Sequence, residues 1–252
     1  MLQKLIAQLW QHSMINREKN GDITIHRLIQ ATVRHQHKKS LVGKKLYYPP
    51  LTIEWYNMLV KCVHNEFHRK TQALEDEMRQ KNLLPHLQML LIHYKKIWPS
   101  APEFNLTSIL NDIGAVFLLI GDPRNAKSYY EHALSILEQY YGKFHPLVAE
   151  TLVNLGKTYR DLGNIKKSQK LCESALPILE QYFGNDHVKV APSLDCIGNA
   201  HRHLGNIKQA REFHERVLKI KEQYYGKNHF ETASTCDHLG RDYRFFGDSK
   251  SL

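Results

Sequence analysis

The feature that most constrains how this chain can fold is an internal repeat with a period of 42 residues. The tract from Ile136 to Gly142, with the sequence ILEQYYG, returns as ILEQYFG and then as IKEQYYG. Glycines recur at the same spacing in three series, namely Gly114, Gly156, Gly198 and Gly240, then Gly121, Gly163, Gly205 and Gly247, and then Gly142, Gly184 and Gly226. Each repeat must therefore be one structural module that stacks against its neighbours.

Each module is predicted to be a pair of antiparallel helices, helix A followed by helix B. In the second copy an apolar stripe that includes Leu155 and Tyr159 predicts helix A from about residue 147 to 162. Gly163 then suits the left-handed conformation that ends a helix, and Asn164 suits the N-cap of helix B. Such pairs bury their apolar faces only by stacking into a solenoid whose concave surface is lined by A helices.

The glycine series that begins at Gly114 falls inside helix A, where a glycine destabilises the helix by about 1 kcal/mol relative to alanine. Close approach of helix B would explain why glycine occurs at these positions. The predicted contacts are the small side chains of Ala133 and Ala175, with the bulkier Val217 in the third copy.

The repeat resembles the tetratricopeptide family in its long-repeat form, which is found in kinesin light chains and in repeat proteins attached to signalling ATPases. The pattern that carries the resemblance is Leu155-Gly156, the aromatic Tyr159 and then Gly163, and its glycines recur in the two later copies. The resemblance implies an all-α fold, a right-handed helical-hairpin solenoid, over residues 103–252. Its units are expected at about 103–146, 147–188 and 189–230, with a half repeat at 231–252.

The first hundred residues have a different pattern. Two short strands, 13–16 and 23–25, flank Asn20-Gly21, a pair that favours a hairpin. With the following Ile25-His26-Arg27-Leu28, this segment resembles the second half of the winged-helix module that precedes repeats in nucleotide-binding signalling ATPases. We therefore expect a small N-terminal partial winged-helix segment at 1–45 and a helical linker or N-terminal cap of the array at 46–102, with a helix from Leu83 to Trp98.

The ATPase module of that family is not predicted, because no GxxxxGK motif followed by Ser or Thr occurs. Gly43-Lys44-Lys45 comes nearest, but Lys38 stands where the first glycine is needed. The sequence also offers no nucleophile with a paired base and no phosphate loop. We predict a protein that is not an enzyme, with no catalytic residues and no cofactor.

No metal site is predicted from the histidines and cysteines. His64, Glu66 and His68 form the order HxExH, which puts the glutamate on the wrong face for the HExxH metalloproteases. The cysteines form no CxxC pair, so we expect neither a zinc site nor a disulfide framework; they are Cys62, Cys172, Cys196 and Cys236. The histidines that follow the third glycine series are predicted to be turn and packing residues, and they are His145, His187 and His229.

The net charge of +10 lies almost wholly in the first part of the chain. Residues 1–100 hold 16 lysines and arginines against 7 acidic residues, whereas the repeats are close to neutral. The stretch between Asp22 and Glu54 has no acidic residue, so it is either a solvated basic linker, the commoner case, or a surface that meets phosphate or an acidic partner. Nucleic acid is not the predicted partner.

No apolar run approaches the roughly 20 residues that span a bilayer. We expect a cytoplasmic chain without a membrane span, and export by a route without a signal peptide stays open.

The candidate binding site lies on the A helices, at positions one and four residues after the shared glycine, which should face the groove. The predicted groove residues are Asn111, Asn154, Lys157, Arg160, Asn199, Arg202, His203, Arg241 and Arg244. The first two follow from the resemblance, because A-helix asparagines contact cargo peptides in kinesin light chains. The three arginines in register, at 160, 202 and 244, suit carboxylates bidentately.

Two other interpretations of these arginines stay open at this level. An arginine near the C-terminal end of helix A is also favourable as a solvated residue. Asp195 and Asp237 lie nearby and can pair with the arginines, which would weaken any preference for an anion.

The predicted function is a protein–protein interaction scaffold that binds a peptide or partner segment of acidic character in the groove. The alternative is a regulatory or sensor arm of a signalling ATPase whose catalytic module is absent from this chain. The half repeat is expected to leave Leu239, Tyr243 and Phe246 partly uncovered, which would permit self-association through the open end.

Overall fold

The structure is a computed structural model that describes residues 16–17, 23–24, 81, 84–85, 87–88, 91–92 and 106–248, with side chains in the last range up to residue 244. The chain forms two compact units, residues 1–119 and residues 120–252.

The first unit contains a short hairpin whose second strand lies at the predicted residues and whose first strand overlaps the predicted 13–16 at Asn16. Strand β1 (Asn16–Arg17) pairs antiparallel with strand β2 (Ile23–Thr24), with Asn16 opposite Thr24. The rest of the predicted winged-helix segment, and the residues of the HxExH motif, lie outside the described residues. The boundaries of the segments 1–45 and 46–102 therefore stay predictions.

Two helical stretches of the first unit are also described. Residues 84–85, 87–88 and 91–92 are helical, as predicted for this stretch, and Leu87 is fully buried. Helix α1 (Thr107–Leu119) follows and buries Ile109, Ile113 and Val116.

The second unit is built from helices that pack in sequence order. These are α2 (Pro123–Tyr141), α3 (Pro146–Asp161), α4 (Ile165–Phe183), α5 (Ala191–His203), α6 (Ile207–Tyr225) and α7 (Phe230–Asp248). Each helix contacts the next along the chain, and α3 also contacts α5. The odd-numbered helices α3, α5 and α7 are the predicted A helices, and α2, α4 and α6 are B helices. The all-helical repeat fold is confirmed.

The turn between helix A and helix B has the predicted chemistry in the second copy. Gly163 ends helix α3 with a φ of +80°, a left-handed conformation that favours glycine. Asn164 then caps α4, because its Oδ1 accepts a hydrogen bond from the backbone N of Lys167 at 3.1 Å. In the next copy Asn206 precedes α6 without a side-chain cap hydrogen bond.

The two asparagines should therefore respond differently to the same change. Asn164→Ala is expected to lower the free energy of unfolding by about 1 kcal/mol, the usual effect of losing an N-cap. Asn206→Ala should lower it by less than about half as much, since no cap hydrogen bond is lost. Urea unfolding of the two variants beside the parent chain tests this, and equal losses would contradict it.

The loop histidines are turn residues, as predicted. In His145, His187 and His229 the Nδ1 atom accepts a hydrogen bond at 3.2 Å from the backbone N two residues later. Each ring also stacks on the aromatic residue that precedes the loop glycine, namely Tyr141, Phe183 and Tyr225.

Two of the mid-helix glycines, Gly156 and Gly198, do allow helix B to approach, but through residues other than the predicted ones. A Cβ at Gly156 would overlap the Sγ of Cys172, and a Cβ at Gly198 would lie 2.7 Å from Nε2 of His214. Ala175 and Val217 instead join the apolar core between α3, α4, α5 and α6. The contact lies three residues earlier on helix B than predicted. The packing of side chains sets the point at which the two helices cross, and the sequence spacing does not reveal it.

Helix α7 differs from the prediction at two points. The repeat register aligns Gly247 with Gly163 and so predicts that it ends the helix, but α7 continues past Gly247 to Asp248. Leu239, which was expected to be partly uncovered, is buried with 7% of its surface exposed, because α7 packs on α6. Tyr243 is 53% exposed, as predicted, and the side chain of Phe246 lies outside the described residues.

None of the helices in the described part of the chain has the length and apolar character needed to cross a membrane.

Candidate functional site

Helices α3, α5 and α7 carry all but one of the predicted groove residues. Helix α3 contacts α5, and α7 reaches α5 through a hydrogen bond between His238 Nδ1 and Asp195 Oδ1 at 2.8 Å. We call the basic members of the predicted groove set the basic wall; they are Lys157, Arg160, Arg202, His203, Arg241 and Arg244. Asn154 and Lys157 are half-buried on α3, and Asn199 is buried on α5. Asn111 is half-buried on α1, in the other unit.

Charges of the same sign act on one another across the basic wall. Burial lowers the pKa of Arg202, the charge of Asp242 opposes this, and the charges of Arg241 and Arg160 lower it further. Burial likewise lowers the pKa of His203, and Arg202 and Arg160 add to the effect. Arg160 on α3 therefore lies close enough to act on two side chains of α5.

Acidic side chains contact several members of the basic wall. Arg160 Nη2 lies 2.9 Å from Asp161 Oδ1, and Arg241 Nη2 lies 2.6 Å from Asp237 Oδ2, the pairing expected for Asp237. Both pairs are accessible to solvent. Arg244 Nε donates to the backbone oxygen of Gly240 at 3.4 Å.

Arg202 is placed differently from the other two arginines of the predicted ladder. Its side chain is only 10% exposed, and its Nη1 lies 3.7 Å from Oδ1 of the fully buried Asp242. Its Nη2 donates to the side-chain oxygen of Asn199. Arg202 thus faces inward, whereas Arg160 and Arg244 keep their guanidinium groups nearer the solvent.

Asp195 pairs with a histidine and not with an arginine. Burial raises its pKa, but the hydrogen bond from His238 and the nearby charges of His238, His214 and Lys157 hold the pKa below its usual range. Burial lowers the pKa of Lys157, against the effect of Asp195. Asp195 therefore belongs to a polar group beneath the basic wall.

The family of the chain follows from the repeat and from its match to known sequences. The sequence model of the tetratricopeptide repeat matches residues 105–181 and 189–251. The chain belongs to the tetratricopeptide repeat family. No curated protein matches it.

Solved structures of tetratricopeptide type share this fold. BtubC (BKLC) from P. vanneervenii is 20% identical with a TM-score of 0.53, over 77% of this chain and 84% of that chain. The structure described as "Podosopora anserina putative kinesin light chain nearly identical TPR-like repeats" is 14% identical with a TM-score of 0.55, over 79% of this chain and 89% of that chain. A Rap protein complexed with Competence and Sporulation Factor is 15% identical with a TM-score of 0.57, over 90% of this chain and 71% of that chain. At these identities the likeness concerns the fold.

The tetratricopeptide repeats of this chain contain one group of side chains that sequence reasoning missed. We call Asp195, His214, His238 and Asp242 the His–Asp cluster; it joins α5, α6 and α7. His214 Nδ1 lies 2.5 Å from Asp242 Oδ2, and both side chains are 0% exposed. The repeat register does contain a signal for this cluster. His214 and Asp242 stand at positions where the preceding repeat has the uncharged Cys172 and Ala200.

The cysteines correct a second expectation. Cys172 on α4 and Cys196 on α5 form a disulfide, with their Cα atoms 6.3 Å apart, whereas the sequence predicted no disulfide framework. The 24 residues between them hide the proximity, because it arises from packing of helix B of one tetratricopeptide repeat on helix A of the next.

Proposed function

We propose that this chain is a non-catalytic protein-interaction scaffold whose basic wall binds an acidic segment of a partner protein. The observation that carries the proposal is that these basic groups lie close together: Arg241 and Arg160 lower the pKa of Arg202, and Arg202 and Arg160 lower the pKa of His203. Keeping like charges close is unfavourable in the free protein, and a bound carboxylate relieves it.

The acidic partners of the basic wall are compatible with such a ligand. The pairs Arg160–Asp161 and Arg241–Asp237 are exposed to solvent, with 51% and 55% of the side-chain surface accessible in the second. Exposed pairs contribute little to stability. Their arginines are therefore free to exchange one carboxylate for another when a ligand arrives.

The fold is suited to this role. The Rap protein that shares it was crystallised in complex with Competence and Sporulation Factor, so a repeat array of this kind can hold a partner. The present chain would use the solvent-facing guanidinium groups of Arg160 and Arg244 and the half-buried Lys157 for contacts to ligand carboxylates, since such charge-assisted hydrogen bonds are the strong ones.

Charge reversal at the two solvent-facing arginines tests the proposal. The chain is screened against peptides of varied charge, and Arg160→Glu with Arg244→Glu is expected to weaken acidic binders about 100-fold, because two charge-assisted contacts are lost. The matched control reverses two exposed lysines of B helices, Lys170→Glu with Lys219→Glu, and changes the net charge equally.

The comparison between these two variants decides the outcome. Equal weakening by both would show that net charge alone attracts the peptides. Binding that survives the arginine change, or a chain that selects basic or apolar peptides, would overturn the proposal for this wall.

The alternative function, a sensor arm of a signalling ATPase, stays a prediction. The described feature that favours it is the β1–β2 hairpin at the predicted place in the winged-helix-like segment. Co-purification with an ATPase that depends on the bound nucleotide would support this alternative.

A further inference from the structure

The His–Asp cluster brings three metal-ligating side chains to one point from three different helices. Asp195 on α5, His214 on α6 and His238 on α7 each offer a ligand atom, and these atoms all lie within 4.8 Å of one another. Asp195 Oδ1 is 2.8 Å from His238 Nδ1 and 3.9 Å from His214 Nε2.

His214 is the most informative member of the cluster. Its side chain is fully buried, and its Nε2 makes no hydrogen bond. The other ring nitrogen, Nδ1, donates to the carboxylate of Asp242, which fixes the ring and turns Nε2 towards Asp195. Burying an imidazole nitrogen without a hydrogen-bond partner destabilises the fold, so a ligand bound to this nitrogen would stabilise it.

The local backbone makes room for this ring. Gly198 on α5 has no side chain where a Cβ would lie 2.7 Å from Nε2 of His214. The nitrogen can therefore sit deep between the helices beside the carboxylate of Asp195.

We propose that Asp195, His214 and His238 bind a Zn²⁺ ion that ties α7 to α5 and α6. Two imidazoles and one carboxylate are a common zinc ligand set. Asp242 is the outer carboxylate that orients a metal-binding histidine and raises its basicity.

Two of the three distances between ligand atoms are close to those of a zinc site, and the third, between the two imidazoles, is within 4.8 Å. Ligand atoms placed tetrahedrally at about 2.1 Å from zinc are about 3.4 Å apart, and the observed 2.8 Å and 3.9 Å lie on either side of this value. Zinc would take the place of the proton in the hydrogen bond between His238 Nδ1 and Asp195 Oδ1. The side chains of Asp195 and His238 are 18% and 22% exposed, so the ion has an entry path and the fourth position can hold water.

The competing account is a metal-free polar network made of two pairs, His214 with Asp242 and His238 with Asp195. That account predicts no specific affinity for zinc and gives no partner to His214 Nε2. The two accounts therefore differ in a quantity that can be measured directly.

The test uses the full chain after removal of metal with EDTA. Zn²⁺ is titrated in competition with a chromogenic chelator, and we expect binding at this site with a Kd below about 1 µM. A zinc concentration of about 100 times Kd should raise Tm by about 5 °C or more. Mg²⁺, which prefers six oxygen ligands, should have no such effect.

Variants assign the binding to the cluster. His238→Gln and Asp195→Asn change partly exposed ligands, and each should weaken zinc binding at least about 100-fold. Asp242→Asn should weaken it about 10- to 100-fold, the usual effect of an outer partner. His187→Asn is the matched control, because it removes one imidazole but keeps a side-chain acceptor for the backbone N of Lys189 in the loop before α5.

A second control addresses the histidines outside the cluster, because the whole chain has 16 histidines. His64→Ala with His68→Ala removes the HxExH pair and should leave the affinity unchanged. Failure of the parent chain to bind zinc more tightly than about 10 µM would overturn the proposal. So would equal affinities in the His238→Gln and His187→Asn variants, each shown to be folded by circular dichroism, or loss of binding in the His64/His68 variant alone.

Discussion

Gly198→Ala is expected to lower the free energy of unfolding by about 2 kcal/mol or more, because the new methyl group overpacks a filled site. Its Cβ would lie 2.7 Å from Nε2 and 2.9 Å from Cδ2 of His214. The imidazole cannot move aside easily, since its ring is fully buried and its Nδ1 is held by Asp242.

The same substitution one repeat later should have the opposite sign. No neighbouring atom of the described residues lies within 4 Å of a Cβ at Gly240, which occupies the equivalent position on α7. Gly240→Ala should therefore raise the free energy of unfolding by about 0.5–1 kcal/mol through helix propensity. Urea unfolding in the presence of EDTA measures both, and changes of the same sign in both variants would contradict the packing argument.

Much of the repeat could be predicted because its signals are local and occur several times. Helix A of the second copy was predicted at about 147–162 and is found at Pro146–Asp161. Three independent signals indicate the same C-terminal boundary of this helix, namely the end of the apolar stripe, Gly163 and Asn164. An error in one of them would not have changed the predicted boundary.

The start of α5 shows where copying one repeat onto the next fails. Position 188 corresponds to Pro146, but α5 begins at Ala191, and Val190 and Ala191 close turns onto His187 and Val188. Pro192 accounts for the shift. It has no N–H to donate to the oxygen of residue 188, so it fits only the first turn of a helix.

The interior of the site was beyond sequence pattern. Asp195, His214 and His238 are 19 and 24 residues apart along the chain, and they meet only because α5, α6 and α7 pack at particular crossing points. The inward position of Arg202 has the same origin, since its partner Asp242 lies on the next A helix. Repeat register predicts which positions are equivalent, but it does not say which of them carries a buried charge.

Asp242→Ala is expected to lower the free energy of unfolding by about 3–5 kcal/mol, the usual effect of removing one partner of a buried pair. His214 Nδ1 would lose its acceptor at 2.5 Å, and Arg202 Nη1 would lose the carboxylate at 3.7 Å. His214→Leu alone should be similarly harmful, because it leaves the carboxylate of Asp242 buried without the imidazole.

The double variant, His214→Leu with Asp242→Ala, should recover most of this loss. One repeat earlier the same two positions hold Cys172 and Ala200, which are uncharged and fully buried, so the fold accepts uncharged side chains there. Replacing a buried pair by apolar residues is often close to neutral, so the double variant should lose much less than the sum of the two single changes, and the coupling energy of the cycle should be about 4 kcal/mol or more.

Urea unfolding of the parent chain, the two single variants and the double variant in EDTA gives this coupling energy. Hydrogen exchange of the α6 and α7 amides shows which helix loses stability. Strict additivity of the two single changes would mean that His214 and Asp242 do not act as a pair. A double variant that is no better than Asp242→Ala would mean that Arg202 is the side chain that Asp242 mainly supports, since Arg202 keeps its charge in every member of the cycle.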